Sequence, residues 1–461
     1  MELSNRRVLI LGLAREGASL ARFFARQRAE VTVTDAAPMD ALAASARGLA
    51  LPSVRLVVGA DYPELVHEAD AIFVSPGVPE TNPVYQAAIE RALPIQSMTT
   101  LFFALCPGSI VGVTGSSGKT TTTGLIGHIF RTADRHVVVG GNIGDPMLDL
   151  LPRIHANTIV VLELSSFQLH LLRRSPHVAV VTNVTPNHLD RHETMESYVF
   201  AKLNICSHQS AADHLVLNTA DSYAPLFESS TPAQTHNFGF DSRGAQNGST
   251  VRDGHLGLLK GGSWAPVLPE ADIPLLGRHN VENVLAATAA TSIFDVPAHS
   301  MAKAIRTFQP APHRLQPVAD RSGVRYVDDS IATSPARASV ALQAISAPVV
   351  LIAGGRDKCL PWQELARLAV RRARAVVLIG EAADTIEHAL LSALPHETGL
   401  LERGAIVRCV SLEAAVRTAS DLARTGDVVL LSPACASYDM FHDFEERGAA
   451  FARAVERLRA A

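Results

Sequence analysis

Short apolar runs alternate with helical patterns along this chain, and the alternation predicts an α/β protein with largely parallel sheets. The first run, Arg7 to Leu11, leads through a glycine turn into a helical pattern and then into a strand, Glu30 to Asp35. This order is typical of a Rossmann-like domain. Ala14 stands where the dinucleotide fingerprint has its middle glycine. That disfavours a dinucleotide but leaves a single nucleotide diphosphate as a ligand.

The strand pattern divides the chain into three segments, which we predict to be domains covering residues 1–97, 98–309 and 310–461. The first also contains a strand, 71–74, that ends in Ser75-Pro76-Gly77, either a ligand-binding edge or an ordinary loop. The second is predicted to be a central P-loop-type domain with a parallel or mixed sheet, interrupted by an antiparallel excursion or long loop at 229–263. The third is predicted to be a doubly wound α/β domain. The predicted strands of the last two domains are 109–114, 158–164, 178–182, 214–218, 324–328, 349–353, 375–379, 406–410 and 428–431.

A glycine-rich turn between a strand and a helix predicts an ATP site. The sequence reads Thr114-Gly-Ser-Ser-Gly-Lys-Thr120, and Val113 stands where the longer P-loop pattern would have glycine. Such a turn directs backbone N–H groups at phosphate oxygens, while its lysine reaches the β/γ-phosphates and a threonine can bind Mg²⁺. The alternative is a turn that only caps a helix. The predicted nucleotide contacts here are Gly115, Ser116, Ser117, Gly118, Lys119, Thr120 and Thr121.

Composition narrows the possible partners. The chain has 461 residues, 47% of them hydrophobic, and 41 basic against 45 acidic side chains, without a basic tail. We therefore expect no nucleic-acid partner. No apolar run approaches the ~20 residues that a membrane span needs, so we expect no membrane association. The five cysteines are widely spaced, which favours reduced thiols in a cytoplasmic protein over a zinc site. Without an oligomerisation signal, a monomer is the default expectation.

Polar residues at two predicted strand ends suggest a metal site. Glu163 closes the strand before Leu-Ser-Ser-Phe-Gln168, a suitable place for a carboxylate ligand of Mg²⁺; the alternatives are a helix cap or a pair with a basic neighbour. The loop after the next strand, 183–192, contains His188 and Asp190, and Lys202 follows in a helical pattern. A second metal or substrate site is one interpretation. A structural histidine and a solvated helix lysine are the other.

Taken together, the motifs resemble those of the Mur ligases of peptidoglycan synthesis, over almost the whole chain and in the same order. The matching segments are Thr114–Thr120, Gly140-Gly-Asn142-Ile-Gly144, Leu162–Gln168, Asn183–Arg191, Gly277-Arg-His-Asn280-x-x-Asn283, His313-Arg314, Asp329-Ser330, Gly354-Gly355 and Leu431–Ser437. Within the family, the likeness is to the branch that joins glutamate to UDP-N-acetylmuramoyl-L-alanine.

The resemblance implies an N-terminal domain for the UDP end of the substrate, a central ATPase domain and a C-terminal domain for the amino acid. The substrate contacts that it implies are Leu13, Ala14, Arg15, Asp35, Ser75, Pro76, Gly77, Asn142, His188, Thr333, Lys358, Ser437 and Phe444. The implied nucleotide contacts beyond the glycine turn are Asn280, Asn283, Arg314 and Asp329. The implied metal ligands, for two Mg²⁺ ions, are Thr120, Glu163, His188 and a CO₂-derived carbamate on Lys202.

The implied reaction has two steps. A substrate carboxylate attacks the γ-phosphorus of ATP to give an acyl phosphate, and the amine of glutamate then displaces phosphate. Because two anions approach each other in the first step, positive charge around the γ-phosphate is the main requirement. The implied catalytic residues are Lys119, His188, Lys202 and Arg314.

One departure from the family pattern concerns the amino acid. The D-glutamate pattern reads Asp-Ser-Lys-Ala-Thr, whereas this chain has Ile331 in place of the lysine. D-glutamate is the first expectation, and ligation of L-glutamate to the same precursor is the main alternative. A folylpolyglutamate synthetase-like ligase fits the N-terminal segment less well. A nicotinamide-dependent dehydrogenase is disfavoured by Ala14, and a P-loop switch or transport ATPase would turn over ATP without either substrate.

Overall fold

The computed structural model describes residues 6–46, 48–187, 189–241, 244–275, 277–309, 312–357 and 360–458. The chain forms two compact units, one of Met1–Ile273 with Val281–Phe308 and the other of Pro274–Asn280 with Gln309–Ala461. The described part of the chain contains a five-stranded, a nine-stranded and a six-stranded sheet. These sheets confirm the α/β prediction. The domain boundaries at 97/98 and 309/310 stay predictions.

The first sheet is parallel, with the strand order β3-β2-β1-β4-β5. It is built from β1 (Arg7–Leu11), α1 (Arg15–Arg26), β2 (Glu30–Asp35), α2 (Met39–Ala46), β3 (Val54–Val58), β4 (Ala71–Val74), α3 (Pro83–Glu90) and β5 (Ile95–Gln96). β1 lies in the middle of the sheet, between β2 and β4. The turn after β1 and the turn after β4 therefore meet at one edge.

The second sheet has the order β14-β13-β12-β11-β10-β9-β6-β8-β7. Its elements up to β10 are α4 (Met98–Leu105), β6 (Ser109–Thr114), α5 (Lys119–Thr132), β7 (Val137–Gly141), α6 (Met147–Leu150), β8 (Ile159–Glu163), α7 (Ser166–His170), β9 (Val178–Val181), α8 (Leu189–His192), α9 (Met195–Leu203) and β10 (His214–Asn218). Parallel pairing places the carboxyl ends of β6, β8 and β9 side by side. These strands are buried almost throughout, as their unbroken apolar runs require.

The segment predicted as an excursion or loop extends this second sheet. It contains α10 (Ala224–Ser229), β11 (Gln234–Gly239), β12 (Gly248–Arg252), β13 (His255–Lys260) and β14 (Ser263–Pro269). β12, β13 and β14 are antiparallel neighbours, as expected. β11, however, pairs in parallel with both β10 and β12, so the expectation of a separate excursion is wrong at that strand. The helices α11 (Arg278–Ser292) and α12 (Ala298–Thr307) follow.

The third sheet belongs to the second compact unit and has the order β15-β16-β20-β17-β18-β19. Its elements are β15 (Gln316–Arg321), β16 (Val324–Asp328), α13 (Pro335–Ala344), β17 (Val349–Gly354), α14 (Gln363–Arg372), β18 (Ala373–Ile379), α15 (Ala383–Ala393), β19 (Ile406–Arg408), α16 (Leu412–Leu422), β20 (Val428–Leu431) and α17 (Phe444–Glu456). Only β15 runs antiparallel. A separate apolar cluster covers each face of the sheet.

Candidate active site

The turn after β6 is built for close approach by a ligand. Gly115 and Gly118 have φ values of +151° and +81°. A Cβ at Gly115 would collide with Thr182 Oγ1, and one at Gly118 would collide with Asn283 Oδ1. Glycine is therefore needed at both positions. Because α5 begins at Lys119, the N–H groups of its first turn lie directly behind this turn, as phosphate binding requires.

The side chains of the turn are held by the loop after β9. Asn183 Oδ1 accepts from the Ser117 backbone N–H at 3.0 Å, and Ser116 Oγ donates to Thr185 O at 2.8 Å. Lys119 Nζ bends back and donates to Gly115 O at 2.8 Å. Thr120 is half-buried and Thr121 is buried in the same turn. The structure thus brings together all the nucleotide contacts predicted between 115 and 121.

Glu163 ends β8 beside this turn and is 2% exposed. Its Oε1 accepts a hydrogen bond from Asn142 Nδ2 at 3.0 Å. Its Oε2 is also buried and has no hydrogen-bond partner among the described residues. A buried carboxylate oxygen without a partner is costly, and a hard cation is its natural ligand. The alternative of Glu163 as a helix cap is wrong, because Ser165 caps α7.

These residues fit a Mg²⁺ ion that is bound partly by a nucleotide. No group of three or more His, Cys, Asp or Glu side chains suited to a metal occurs in the part of the chain that the structure describes. An ion beside Glu163 would therefore need phosphate oxygens and water as further ligands, which is the usual coordination of Mg²⁺. The predicted ligand His188 lies outside the described residues, as do the side chain of Asp190 and any contact that they make.

Lys202 lies on α9 and is 1% exposed, so its interpretation as a solvated helix lysine is wrong. Its Nζ donates to Gly115 O at 3.0 Å and to Thr114 Oγ1 at 3.3 Å, and it lies 4.6 Å from the centre of the Tyr198 ring. Burial and, to a lesser extent, the positive charge of Lys119 lower the pKa of Lys202 well below its usual range. This shift favours the neutral amine, the form that reacts with CO₂.

The N-terminal turn is ordered by Asp35. The two oxygens of this carboxylate accept from the backbone N–H groups of Leu13 at 2.7 Å and Ala37 at 2.9 Å. Ser75 Oγ donates to Gly12 O at 2.9 Å, so the turns after β1 and β4 touch each other. Leu13 is fully buried. Ala14 is exposed at the start of α1, and Pro76 is half-buried.

Two contacts join this turn region to the second sheet. The Arg15 guanidinium donates to Gly144 O, and Arg191 donates to Gly77 O at 3.0 Å. A third contact runs from Gln168 Nε2, which donates to Glu16 Oε1 at 2.8 Å; the sequence predicted none of these three contacts. The predicted substrate contacts Arg15 and Gly77 therefore each touch a segment that follows a strand of the second sheet, and Gly144 is two residues from Asn142.

The second unit contains most of the remaining predicted contacts. Asp329 is 4% exposed, and its carboxylate accepts from Ser432 Oγ at 2.8 Å and from the Leu315 N–H at 3.2 Å. Burial raises the pKa of Asp329 to about 7, although its hydrogen bonds and the charge of Arg314 act in the opposite direction. His313, next to Arg314, has a φ of +61° and pairs through Nδ1 with Asp328 Oδ2 at 2.6 Å.

The predicted amino-acid contacts lie on loops of this unit. Ser437 is buried, Thr333 is half-buried, and Phe444 begins α17. Lys358 lies outside the described residues. The two asparagines of α11 belong to different units: Asn280 is in the second, whereas Asn283 is in the first, where its Oδ1 accepts from Thr122 Oγ1 at 3.4 Å.

Three family models cover most of the chain: the Mur ligase MurD-like N-terminal domain at residues 6–97, the Mur ligase middle domain at 113–291 and the Mur ligase glutamate ligase domain at 313–435. UDP-N-acetylmuramoylalanine–D-glutamate ligase of Symbiobacterium thermophilum is 42% identical over 98% of both chains. The protein of the same name from Acetivibrio thermocellus is 39% identical over 100% of this chain and 98% of its own.

Solved structures agree on the fold. UDP-N-acetylmuramate–alanine ligase MurC from Thermotoga maritima has a TM-score of 0.57 at 18% identity, with 98% of this chain and 99% of that chain covered. A pseudomurein peptide ligase type C from Methanothermus fervidus has a TM-score of 0.55 at 17% identity, covering 99% and 100%.

Proposed function

Because this chain belongs to the Mur ligase family and to its MurD-like branch, we propose that it joins D-glutamate to UDP-N-acetylmuramoyl-L-alanine with cleavage of ATP to ADP and phosphate. The observation that carries the proposal is full-length similarity to ligases named for this reaction. The site described above supplies the chemistry that such a reaction needs. We assign the protein to the cytoplasm as a monomer, where ATP and UDP-linked precursors are available.

In the proposed first step, the chain's part is to bring two anions together. Gly115 to Thr121 would bind the phosphates through backbone N–H groups, and Lys119 would move from its carbonyl partners to the γ-phosphate. Arg314 is proposed to add positive charge at the γ-phosphate. Mg²⁺, when bound at Thr120 and Glu163, neutralises charge on the phosphate oxygens. The free Glu163 Oε2 is the support for this assignment.

We propose that Lys202 carries a carbamate that serves as a ligand for a second ion, together with His188. The neutral Lys202 amine attacks CO₂, a nitrogen–carbon bond forms, and the proton leaves to water. The low pKa of Lys202 supports this step, because only the unprotonated amine has a lone pair to donate. The product is an anion where the buried amine was, and it would need the positive charge of Lys119 and the metal beside it.

The N-terminal turn is proposed to bind the UDP end through Leu13, Ala14 and Arg15, of which Ala14 and Arg15 are exposed, and through Asp35 and Ser75 to Gly77. Asn280, Asn283 and Asp329 are proposed contacts of the adenosine. Thr333, Lys358, Ser437 and Phe444 are proposed to bind glutamate, whose carboxylates suit hydroxyl and ammonium donors.

One observation favours a second candidate, ligation of L-glutamate. Ile331 stands where the D-glutamate pattern has lysine, so one cation is missing from this loop. A phosphate-release assay with ATP, Mg²⁺, UDP-N-acetylmuramoyl-L-alanine and each glutamate isomer separates the candidates. We expect release with the D isomer and little with the L isomer. Release without the muramoyl precursor, or with neither isomer, would contradict the proposed function.

A further inference from the structure

The helix α17 carries an arginine that is almost completely enclosed. Arg447 is 1% exposed and is among the largest fully buried side chains in the second unit. Enclosing a guanidinium is unfavourable unless its donors are satisfied, and arginine is used where its planar fork of donors is needed. Burial lowers the pKa of Arg447 only to about 10, so the group remains charged at neutral pH. We therefore expect this buried and charged side chain to have a structural or functional role.

The contacts of Arg447 show what it holds. Its Nε donates to Ser330 Oγ at 2.9 Å, and one terminal nitrogen donates to Ser330 O at 2.8 Å. The two terminal nitrogens also reach Cys435 O, at 3.1 and 3.2 Å. All four bonds go to uncharged oxygens of two loops. The Arg447 guanidinium therefore links the loop of Ser330 to the loop of Cys435, and we call this arrangement the clamp.

Each segment joined by this clamp carries one proposed glutamate contact. Ser330 lies on the loop after β16, three residues before Thr333, and Cys435 lies on the loop after β20, two residues before Ser437. Ser330 Oγ, which accepts from Arg447, itself donates to the carbonyl oxygen of Phe444 at 2.7 Å. Thr333, Ser437 and Phe444 are thus connected through one guanidinium.

The motif Gly354-Gly355, to which the proposed reaction gives no role, makes room for the clamp. Gly355 has a φ of +134°, and a Cβ there would collide with Ala436 O. The same Cβ would lie 3.0 Å from Cys435 Cβ and 3.2 Å from a terminal nitrogen of Arg447. A side chain at 355 would therefore displace both the 435–436 backbone and the guanidinium. This glycine and this arginine are two parts of one packing arrangement.

We propose that Arg447 is a positioning residue for the incoming amino acid: it fixes the loops of Thr333 and Ser437 and the start of α17 at the spacing that binds glutamate, without touching glutamate itself. The inference rests on the proposed function, since it takes the amino-acid contacts from there. It adds a residue that acts on the second step of the reaction and not on the first.

Two reactions separate these steps. In the complete reaction, phosphate release depends on glutamate. When hydroxylamine replaces glutamate, its nitrogen attacks the acyl-phosphate carbonyl, phosphate leaves, and a hydroxamate forms without use of the amino-acid site. The variants are Arg447→Met, which removes the donors, and Arg447→Lys, which keeps a charge but not the fork. Arg453→Met, on the exposed side of the same helix, is the matched control.

For Arg447→Met, we expect the KM for glutamate to rise by about tenfold or more, because charge-assisted hydrogen bonds that order a binding site are lost. Arg447→Lys should give a smaller rise. The KM values for ATP and the muramoyl precursor, and the hydroxylamine rate, should stay within about threefold of wild type, since those steps do not use the clamp. Arg453→Met should match wild type in every assay.

An unchanged KM for glutamate in folded variants, or an equal loss in the glutamate and hydroxylamine reactions, would overturn the inference. If melting curves show that Arg447→Met does not fold, Arg447→Lys and Ser330→Ala decide, because Ser330→Ala removes the hydroxyl that links Arg447 Nε to the carbonyl oxygen of Phe444. Failure of the proposed function looks different: wild-type protein would release no phosphate with glutamate or with hydroxylamine.

Discussion

Among the described residues, each compact unit has one lysine or arginine that is almost completely buried, and burial affects the two differently. Lys202 and Arg447 are both 1% exposed, and both donate to uncharged oxygens of glycine- or serine-containing loops. Burial lowers the pKa of Lys202 well below its usual range, whereas it lowers the pKa of Arg447 only to about 10. Burial thus shifts the lysine toward its neutral form, whereas the arginine stays a cation.

The difference shows how one physical effect can serve two purposes. A lysine that loses its proton gains a lone pair and can react, so burial beside the phosphate turn favours chemistry. Arginine retains its proton in the same surroundings and offers several fixed donors, so burial between loops favours positioning. We therefore expect changes at Lys202 to abolish the reaction and changes at Arg447 to weaken the binding of one substrate, glutamate.

The largest expected effect comes from Lys202→Ala. We expect kcat to fall by about a thousandfold or more, as when a catalytic metal site is lost. Added formate or acetate should restore part of the activity by replacing the carbamate. Lys303→Ala, at an exposed position of α12, is the control in the same phosphate-release assay. Activity within a few-fold of wild type would show that Lys202 is buried for packing alone.

The next effect tests whether the neighbourhood of Lys202 binds a metal. Glu163→Gln keeps an oxygen that can accept from Asn142 but removes the negative charge of the carboxylate, whose Oε2 has no partner among the described residues. We expect activity to fall by about a hundredfold and the Mg²⁺ concentration needed for half-maximal rate to rise. Glu228→Gln, exposed on α10, is the control. An unchanged Mg²⁺ requirement would count against this ligand.

Gly118→Ala tests the glycine turn, in which Gly115 O accepts hydrogen bonds from Lys119 and Lys202. Its φ of +81° and the collision of a Cβ with Asn283 Oδ1 should raise the KM for ATP by about tenfold. Gly244→Ala is a close control, because Gly244 has a φ of +84° but open space around it. Backbone strain is similar in the two variants, so an equal rise in the KM for ATP in both would contradict a specific role for the turn at Gly118.

The smallest effect concerns a buried carboxylate in the second unit. Because the pKa of Asp329 rises from 3.8 to about 7 on folding, the folded state holds a proton that the unfolded state releases between those values. Stability from this group is therefore present below pH 4 and is lost as the pH rises through 7. Asp329→Asn, which cannot ionise, should melt a few degrees higher relative to wild type at pH 8 than at pH 5.

Asp421→Asn, at an exposed position of α16, is the control for that comparison. It should show no such dependence on pH. A difference between Asp329→Asn and wild type that stays constant from pH 5 to pH 8 would mean that this carboxyl is ionised in the folded protein throughout the range.

The sequence predicted best those parts of the structure in which the spacing of residues along the chain determines the geometry. A strand followed by a glycine turn, as at Gly115, or by a carboxylate, as at Glu163, places polar groups at the edge of a parallel sheet. The strands that the pattern missed, such as β7 and β15, either end in glycines or contain charged residues, so their apolar runs are short.

The sequence did not predict which individual charged residues are buried. Arg447 occurs in an amphipathic helix rich in charge, where a single arginine is normally assigned to the exposed face. Its role depends on two loops, one 117 residues away in the chain at Ser330 and one 12 residues away at Cys435. Lys202 was singled out by its place after the 183–192 loop and by the resemblance, but its burial depends on contacts with the turn at Gly115.

The most direct test of the proposed reaction follows an oxygen atom. If the substrate carboxylate attacks ATP, then UDP-N-acetylmuramoyl-L-alanine labelled with ¹⁸O in its alanine carboxylate should transfer one labelled oxygen to the phosphate released in the presence of D-glutamate. Mass spectrometry of that phosphate reads the result. Phosphate that is released together with the amide product but contains no label would contradict the acyl-phosphate route on which the account rests.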